Sequence, residues 1–282
     1  MKIHHRNARY GIPPKTIEML ELLRREGRRV PNINLIKTAS QIEKIREAGR
    51  INSLVLDAVE KEIHMGMTTE EINEIVDRET RALGGIPAPL GFEGFPKSVC
   101  TSKNDVICHG IPSKDVVLQD GDIVNVDCTT NVGGYFGDAS RMFCIGTVAV
   151  ETRTLVEETK NSIHAVLKHL APYTSTLGDI GYEISQYIKP FGYSIVRSIG
   201  GHGVGLSMHE EPYVCHVGMK GHGIALVPGM IFTIEPMINA GKEDYVVRGK
   251  KAWEVYTKDG SMSAQWEYMI LMTETGYEIL SK

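Results

Sequence analysis

A chain of 282 residues, 42% hydrophobic and 23% charged, can bury one sizeable core, and no apolar run approaches the roughly 20 residues that span a bilayer or reads as a signal peptide. Its five cysteines (Cys100, Cys108, Cys128, Cys144, Cys215) form no C-x-x-C pair; this argues against a disulfide scaffold or a zinc finger and suits a reducing cytoplasm. The net charge of −4 is divided unevenly, +6 over residues 1–40 and −10 over the rest, so a basic arm precedes an acidic body: it is expected to meet a polyanion, to dock on the body, or to stand as a merely solvated extension.

In chain order, Pro13-Pro14 precedes a short amphipathic pattern at Ile17, Met19, Leu20 and Leu23, closed by Gly27 and Pro31. Residues 1–40 therefore read as an N-terminal extension and 41–282 as the main domain. A long helix is predicted from Gln41 to Ile63, with Ile42, Ile45, Ile51, Leu54, Val55, Ala58 and Val59 at helical spacing. Thr68-Thr69-Glu70-Glu71 is a capping-box pattern that opens a second helix through Ile72, Ile75 and Val76. Gly84 to Pro96 is Gly/Pro-rich loop. Strands follow at KSVCTS, VICHGI, DIVNVDCTT and YFGDASRMFCIG. Two more helices are predicted over 151–171 and 176–189, before a second block of strands. The order helix, helix, strands occurs twice, which predicts an α+β fold of two related halves: a mainly antiparallel sheet with helices on one face.

Four acids lie where acids are costly. Asp127, Asp138, Glu235 and Glu267 sit in or at the end of the apolar runs DIVNVDCT, YFGDASRMF, MIFTIEPMI and SAQWEYMIL. A buried bare carboxylate costs several kcal/mol or neutralises itself. With His202, in IGGHGVGLSMHEEP, they form a set of formal charge about −4, which two divalent ions would cancel. Asp127 and Asp138 flank Asn131-Val132-Gly133-Gly134. A turn centred between Val132 and Gly133 places them directly opposite, with Cβ atoms about 5 Å apart. The glycines around His202 are expected to let the backbone approach a ligand closely. Pro236 ends a strand just after Glu235, and Glu267 is expected mid-strand. Oxygen-rich ligation with one imidazole favours Mn, Fe(II), Co or Zn. His109, at a strand end, and His209, seven residues after His202, are further candidates.

At these residues the chain resembles the type I methionine aminopeptidases over roughly residues 41–282. The similarity rests on FEGFPKSVCTSKNDVICHGIP, DIVNVDCTT with GGYFGD, GGHGVG with MHEEP, FTIEPM and AQWEYM. It implies a pita-bread fold, two pseudo-twofold-related α/β halves with two metals between them. It implies that Asp138 and Glu267 bridge the metals, that Asp127 binds one, and that His202 and Glu235 bind the other. It places catalytic roles on His109, His209 and Glu235, and a methionine pocket on Phe92, Phe95, Cys100, Met208 and Trp253. Met208 and Ile199 stand where many relatives carry an aromatic residue. Glu235 and Glu267 lie only 32 apart, as in type I.

The resemblance implies a cytoplasmic, monomeric hydrolase, independent of membranes, that removes N-terminal methionine before a small second residue from peptides and nascent chains. A proline-directed peptidase on the same fold is the first rival. A pita-bread binding module without metal is the second, and such a module would be expected to lose ligands that this chain keeps. The +6 arm, outside the resemblance, is expected either to contact the ribosome or to dock on the acidic body through Ile17, Leu20 and Leu23.

Overall fold

Pro14 stands in the first turn of helix α1 (Pro14–Arg25), where its missing N–H costs no helical hydrogen bond, and Arg24 and Arg25 occupy the last turn, where cations suit the helix dipole. The computed structural model describes residues 11–248 and 253–282, so Lys2, Arg6 and Arg9 of the basic arm lie outside the described residues. Ile17, Leu20 and Leu23 are buried, and with Ile12 and Ile36 they enter the same apolar cluster as Ile180, Leu226 and Met230. Arg28 adds polar anchors, donating to the carbonyl oxygens of Tyr173 (2.5 Å) and Thr174 (2.8 Å). From Ile12 onward, the extension is therefore part of the core. Leu20→Ala is expected to cost about 2–4 kcal/mol, read as a lower urea midpoint at unchanged slope. An unchanged midpoint would mean that α1 contributes nothing to stability.

Thr38 opens α2 (Ala39–Glu62) and Thr68 opens α3 (Thr69–Ala82), each by a reciprocal capping box, with Gln41 and Glu71 respectively. Five predicted positions of α2 do not behave alike: Ile45, Ile51, Val55 and Val59 are buried, whereas Leu54 is exposed. α2 crosses the C-terminal strand closely, because a Cβ at Gly49 would lie 2.4 Å from the Leu280 carbonyl oxygen. The strands of the first half are β1 (Ile86–Pro87), β2 (Cys100–Lys103), β3 (Val106–Cys108), β4 (Ile123–Val132) and β5 (Tyr135–Cys144). α4 (Val150–His169) and α5 (Leu177–Ile188) follow, close to the predicted spans. Then come β6 (Ser194–Ile195), β7 (Gly201–Gly203), β8 (Glu210–Val214), β9 (Ile231–Ile234) and β10 (Met237–Asn239). β11 (Tyr245–Arg248), β12 (Glu254–Thr257), β13 (Ser263–Gln265), β14 (Tyr268–Met272) and β15 (Tyr277–Ser281) complete the chain.

The expected antiparallel sheet is divided into four short ones: β1-β4-β2 with β5 on β4, β13-β10-β6, β11-β12-β3, and β15-β14-β9-β7-β8. An isolated antiparallel bridge, Ser140 to Glu267, joins the first to the strands of the second half. Helices α2 and α3 cover the first half through Val55, Val59, Ile72 and Ile75 against Val124 and Val126. Helices α4 and α5 cover the second through Leu155, Ile163 and Ile184 against Phe232 and Ile270.

The β4–β5 hairpin corrects one expectation. Its turn is Gly133-Gly134, both at positive φ (58° and 88°), so Val132 pairs Tyr135. Asp127 then faces Ser140, and Asp138 faces Thr129. The two aspartates are diagonal rather than directly opposed. A two-residue shift preserves side-chain alternation, so both stay on one face. Left-handed φ at both central residues is what a tight primed turn requires, and glycine supplies it; Val132 is β-branched and does not.

Candidate metal centre and substrate cavity

Every one of the twelve candidate residues lines a single cavity of about 550 Å³: Asp127, Asp138, His202, Glu235 and Glu267 on its polar wall, with His109, His209, Phe92, Phe95, Cys100, Met208 and Trp253 around them. The polar wall is assembled from strands of both halves and the breaks between them. Asp127 and Asp138 come from β4 and β5. Glu235 follows the last residue of β9, where Pro236 interrupts the ladder before β10. Glu267 corrects the expectation of a mid-strand position: it stands in the break between β13 and β14, its N–H donating to the Ser140 carbonyl at 3.1 Å. That break turns its carboxylate toward the aspartates. Ligand atoms of Asp138, His202 and Glu267 all lie within 4.8 Å of one another. His202 Nε2 is 3.8 Å from Asp138 Oδ2 and 3.5 Å from Glu235 Oε1.

Two of the glycines beside His202 are required by packing, while Gly200 lines the cavity. A Cβ on Gly201 would sit 2.4 Å from the Thr233 carbonyl oxygen, and one on Gly203 would sit 2.1 Å from that of Glu211. β7 is thus clamped between β8 and β9, and His202 is carried on a rigid strand. Its Nδ1 lies 3.0 Å from the Gly203 carbonyl oxygen. A carbonyl only accepts, so the ring proton is on Nδ1 and the Nε2 lone pair faces the carboxylates. Burial lowers the pKa of His202, so the ring is neutral, as a metal ligand must be.

Burial raises the pKa of all four acids. For Asp127 the charge of Asp138 adds to it, and Asp138 itself is pushed up to about 7. Glu235 and Glu267 are raised first by burial and then by the other acids of the group. No Lys or Arg is among the described residues that line the cavity. Four mutually repelling carboxylates and a neutral imidazole, with no protein cation among them, are a donor set suited to divalent metal.

Three groups that hold these carboxylates were not singled out from sequence. Thr129 Oγ1 donates to Asp138 Oδ1 at 2.9 Å, Thr233 Oγ1 to Glu235 Oε1 at 2.7 Å, and Gln265 Nε2 to Glu235 Oε2 at 3.2 Å. A signal was present: Thr129, Thr233 and Gln265 each stand two residues before or after Asp127, Glu235 and Glu267. The period-2 alternation of extended chain puts such neighbours on the same face. The fully buried His216 accepts the Glu235 backbone N–H at Nε2 (3.1 Å), its pKa pushed down to about 3 by burial and by His202. It carried no sequence-level signal, because the pairing spans 19 residues.

His109 follows β3 at φ 57°, a left-handed conformation that histidine tolerates better than most residues. Its ring meets Trp253 edge-on with centroids 6.1 Å apart. His209 lies edge-on to His202 (4.4 Å) and to Phe92 (5.2 Å). Burial lowers the pKa of both, aided in each by a neighbouring histidine, with His209 reaching about 4. Both rings are neutral at pH 7. Phe95 packs edge-on to Trp253 at 5.5 Å, and Cys100 pairs directly across from Asp127. Burial pushes the Cys100 thiol up, so it presents a neutral, soft surface beside the carboxylates.

The chain is similar to methionine aminopeptidase A of Synechocystis sp., 45% identical over 241 residues that cover 86% of this chain and 94% of that protein. It is 42% identical to the methionine aminopeptidase of Escherichia coli K12 over 247 residues, 87% of this chain and 93% of that one. Its structure matches the crystal structure of methionine aminopeptidase from Rickettsia prowazekii with a TM-score of 0.85 at 40% identity, over 88% of this chain and 99% of the other. The model of metallopeptidase family M24 matches residues 43–274. With this match, these relatives and a pita-bread arrangement of helices and antiparallel strands, the chain belongs to metallopeptidase family M24.

Proposed function

We propose that this protein removes N-terminal methionine from peptides and nascent proteins, preferring a small second residue. The observation that carries the reading is the adjacency of an apolar, sulfur-bearing wall to the carboxylate cluster in one cavity. Asp127, Asp138, His202, Glu235 and Glu267 would hold two divalent ions (Mn, Fe(II), Co or Zn). When bound, such ions polarise a carbonyl and lower the pKa of water.

The chain's own residues supply the rest. Phe92, Phe95, Trp253, Cys100 and Met208 take up the thioether side chain. This fixes which peptide bond lies against the carboxylates. Glu235 accepts the proton of the attacking water at a carboxylate oxygen and returns it to the leaving amide nitrogen. Its hydrogen bonds from Thr233 and Gln265 hold it in place for both transfers. His209, neutral at working pH, donates to the carbonyl oxygen, where negative charge develops, or accepts from the next amide N–H. His109 stands by the leaving nitrogen. A bulky second residue would crowd the two imidazoles.

The metal-loaded protein is expected to hydrolyse Met-Gly-type peptides and to leave X-Pro peptides intact; the reverse preference would identify a proline-directed peptidase. Cys100→Phe is expected to raise KM for methionyl peptides about tenfold or to shift preference toward smaller first residues. An unchanged profile across a panel of first residues would remove Cys100 from the pocket.

The exposed Arg24, Arg25 and Arg29 leave a basic surface beside the docked helix. It supports salt-sensitive contact with ribosomal RNA in addition to docking. Substituting these three by glutamine tests it by co-sedimentation at low salt, with Leu20 and its packing untouched.

A further inference from the structure

Glu210, in the MHEEP segment, has no part in the chemistry above, and Lys37 lies ahead of the region that matches the family model. Lys37 is 3% exposed, and its ammonium forms an ion pair with Glu210 Oε2. A buried lysine requires such a partner. The other carboxylate oxygen, Glu210 Oε1, accepts two backbone N–H groups, from Leu206 (2.5 Å) and Ser207 (2.9 Å). Those residues belong to the loop between β7 and β8, which carries Met208 and His209. Leu206 and Ser207 are exposed, so little packing holds this part of the loop. Its first residues are tied elsewhere, by Phe136 N–H donating to the Gly205 carbonyl at 2.9 Å.

The lysine is itself firmly placed. Its N–H donates to the Gly229 carbonyl (2.8 Å), and Ile36 bridges Met230, just before β9. β9 leads directly to Glu235. Lys37 thus links the framework that carries Glu235 to the loop that carries His209. Glu210 also pairs Gly203, the residue after His202.

We propose that Lys37 is a positioning residue: through Glu210 it locks the 206–209 loop, so that His209 stands in the cavity at a fixed distance from Glu235. This rests on the assignment of His209 to the substrate carbonyl. Without the lysine, Glu210 is free to turn toward water, and the two N–H tethers loosen. The N-terminal segment would then govern turnover without touching substrate.

The test uses the full-length, metal-loaded protein and a Met-Gly-Gly peptide, with metal content and melting measured alongside. Lys37→Met, which keeps the aliphatic stem, is expected to lower kcat about tenfold with KM and metal content little changed, and Lys37→Arg to recover most of the loss. In a His209→Ala background, Lys37→Met is expected to add less than a twofold loss, because the residue through which it acts is gone. Amide hydrogen exchange at Leu206 and Ser207 is expected to speed up in Lys37→Met, a readout independent of activity. Wild-type turnover in Lys37→Met, unchanged exchange at those amides, or a full tenfold loss added to His209→Ala would each overturn the inference while the site assignment stands. Wild-type turnover in His209→Ala alone would instead overturn the site assignment. If Lys37→Met does not fold, Lys37→Met with Glu210→Gln leaves no unpaired buried charge. The same tenfold loss is expected there, and wild-type turnover would again overturn the proposal.

Discussion

Glu267→Ala is expected to abolish peptide hydrolysis, by about 10³-fold or more, and to lower the metal content measured by elemental analysis. Its carboxylate shares a 4.8 Å cluster with Asp138 and His202, so its loss removes a donor and part of the negative charge that attracts cations. Asp127→Ala is expected to behave alike. Full metal loading and full activity in either variant would end the two-metal assignment. Chelation has a pH signature with a definite sign. Burial and mutual repulsion raise the carboxyl pKa values in the folded, metal-free chain, that of Asp138 to about 7. Between the unfolded value near 4 and the raised folded value, the folded state binds more protons than the unfolded one. Its stability therefore falls as pH rises. The buried histidines act in the opposite sense below about pH 6.5, so the window lies above it: chelated protein is expected to melt lower at pH 8 than at pH 7, and divalent metal to remove most of that difference. A chelated protein equally stable at both pH values would mean that the acids are compensated by the fold itself.

Removal of either imidazole is expected to separate chemistry from metal binding. His209→Ala and His109→Ala should each lose about 10²-fold in kcat, the scale of one proton-transfer or carbonyl-polarising group. Metal content should stay at the wild-type level. The φ of 57° at position 109 strains an alanine more than the native residue, so His109→Asn, which tolerates that region, is the companion variant. It should lose turnover while it melts like the wild type. Because His209 titrates near pH 4, its donor role is expected to leave the pH profile flat above about pH 5. Loss of metal in both alanine variants would exchange the roles of ligand and substrate contact.

What was legible in the sequence follows from costs that a residue type carries wherever it is placed. An acid inside Ile, Val and Phe needs a counter-charge, so Asp127, Asp138, Glu235 and Glu267 were visible before any geometry. Thr68 with Glu71 is a local device that closes within one turn, so the start of α3 was visible too. The apolar side of α1 was legible for the same reason, although its place in the core was not. What only the tertiary structure decided depends on pairing between distant segments. The β4–β5 register turned on which two residues accept left-handed φ; the gap in which Glu267 sits depends on Ser140, more than a hundred residues away. Gly201 and Gly203 are required by Thr233 and Glu211, and His216 reaches Glu235 across 19 residues. Lys37 and Glu210 are 173 residues apart, and nothing local to either predicts that one buried ammonium holds the loop of the other. Side-chain chemistry is a property of a residue, whereas register, burial and close approach are properties of the pairs that folding brings together.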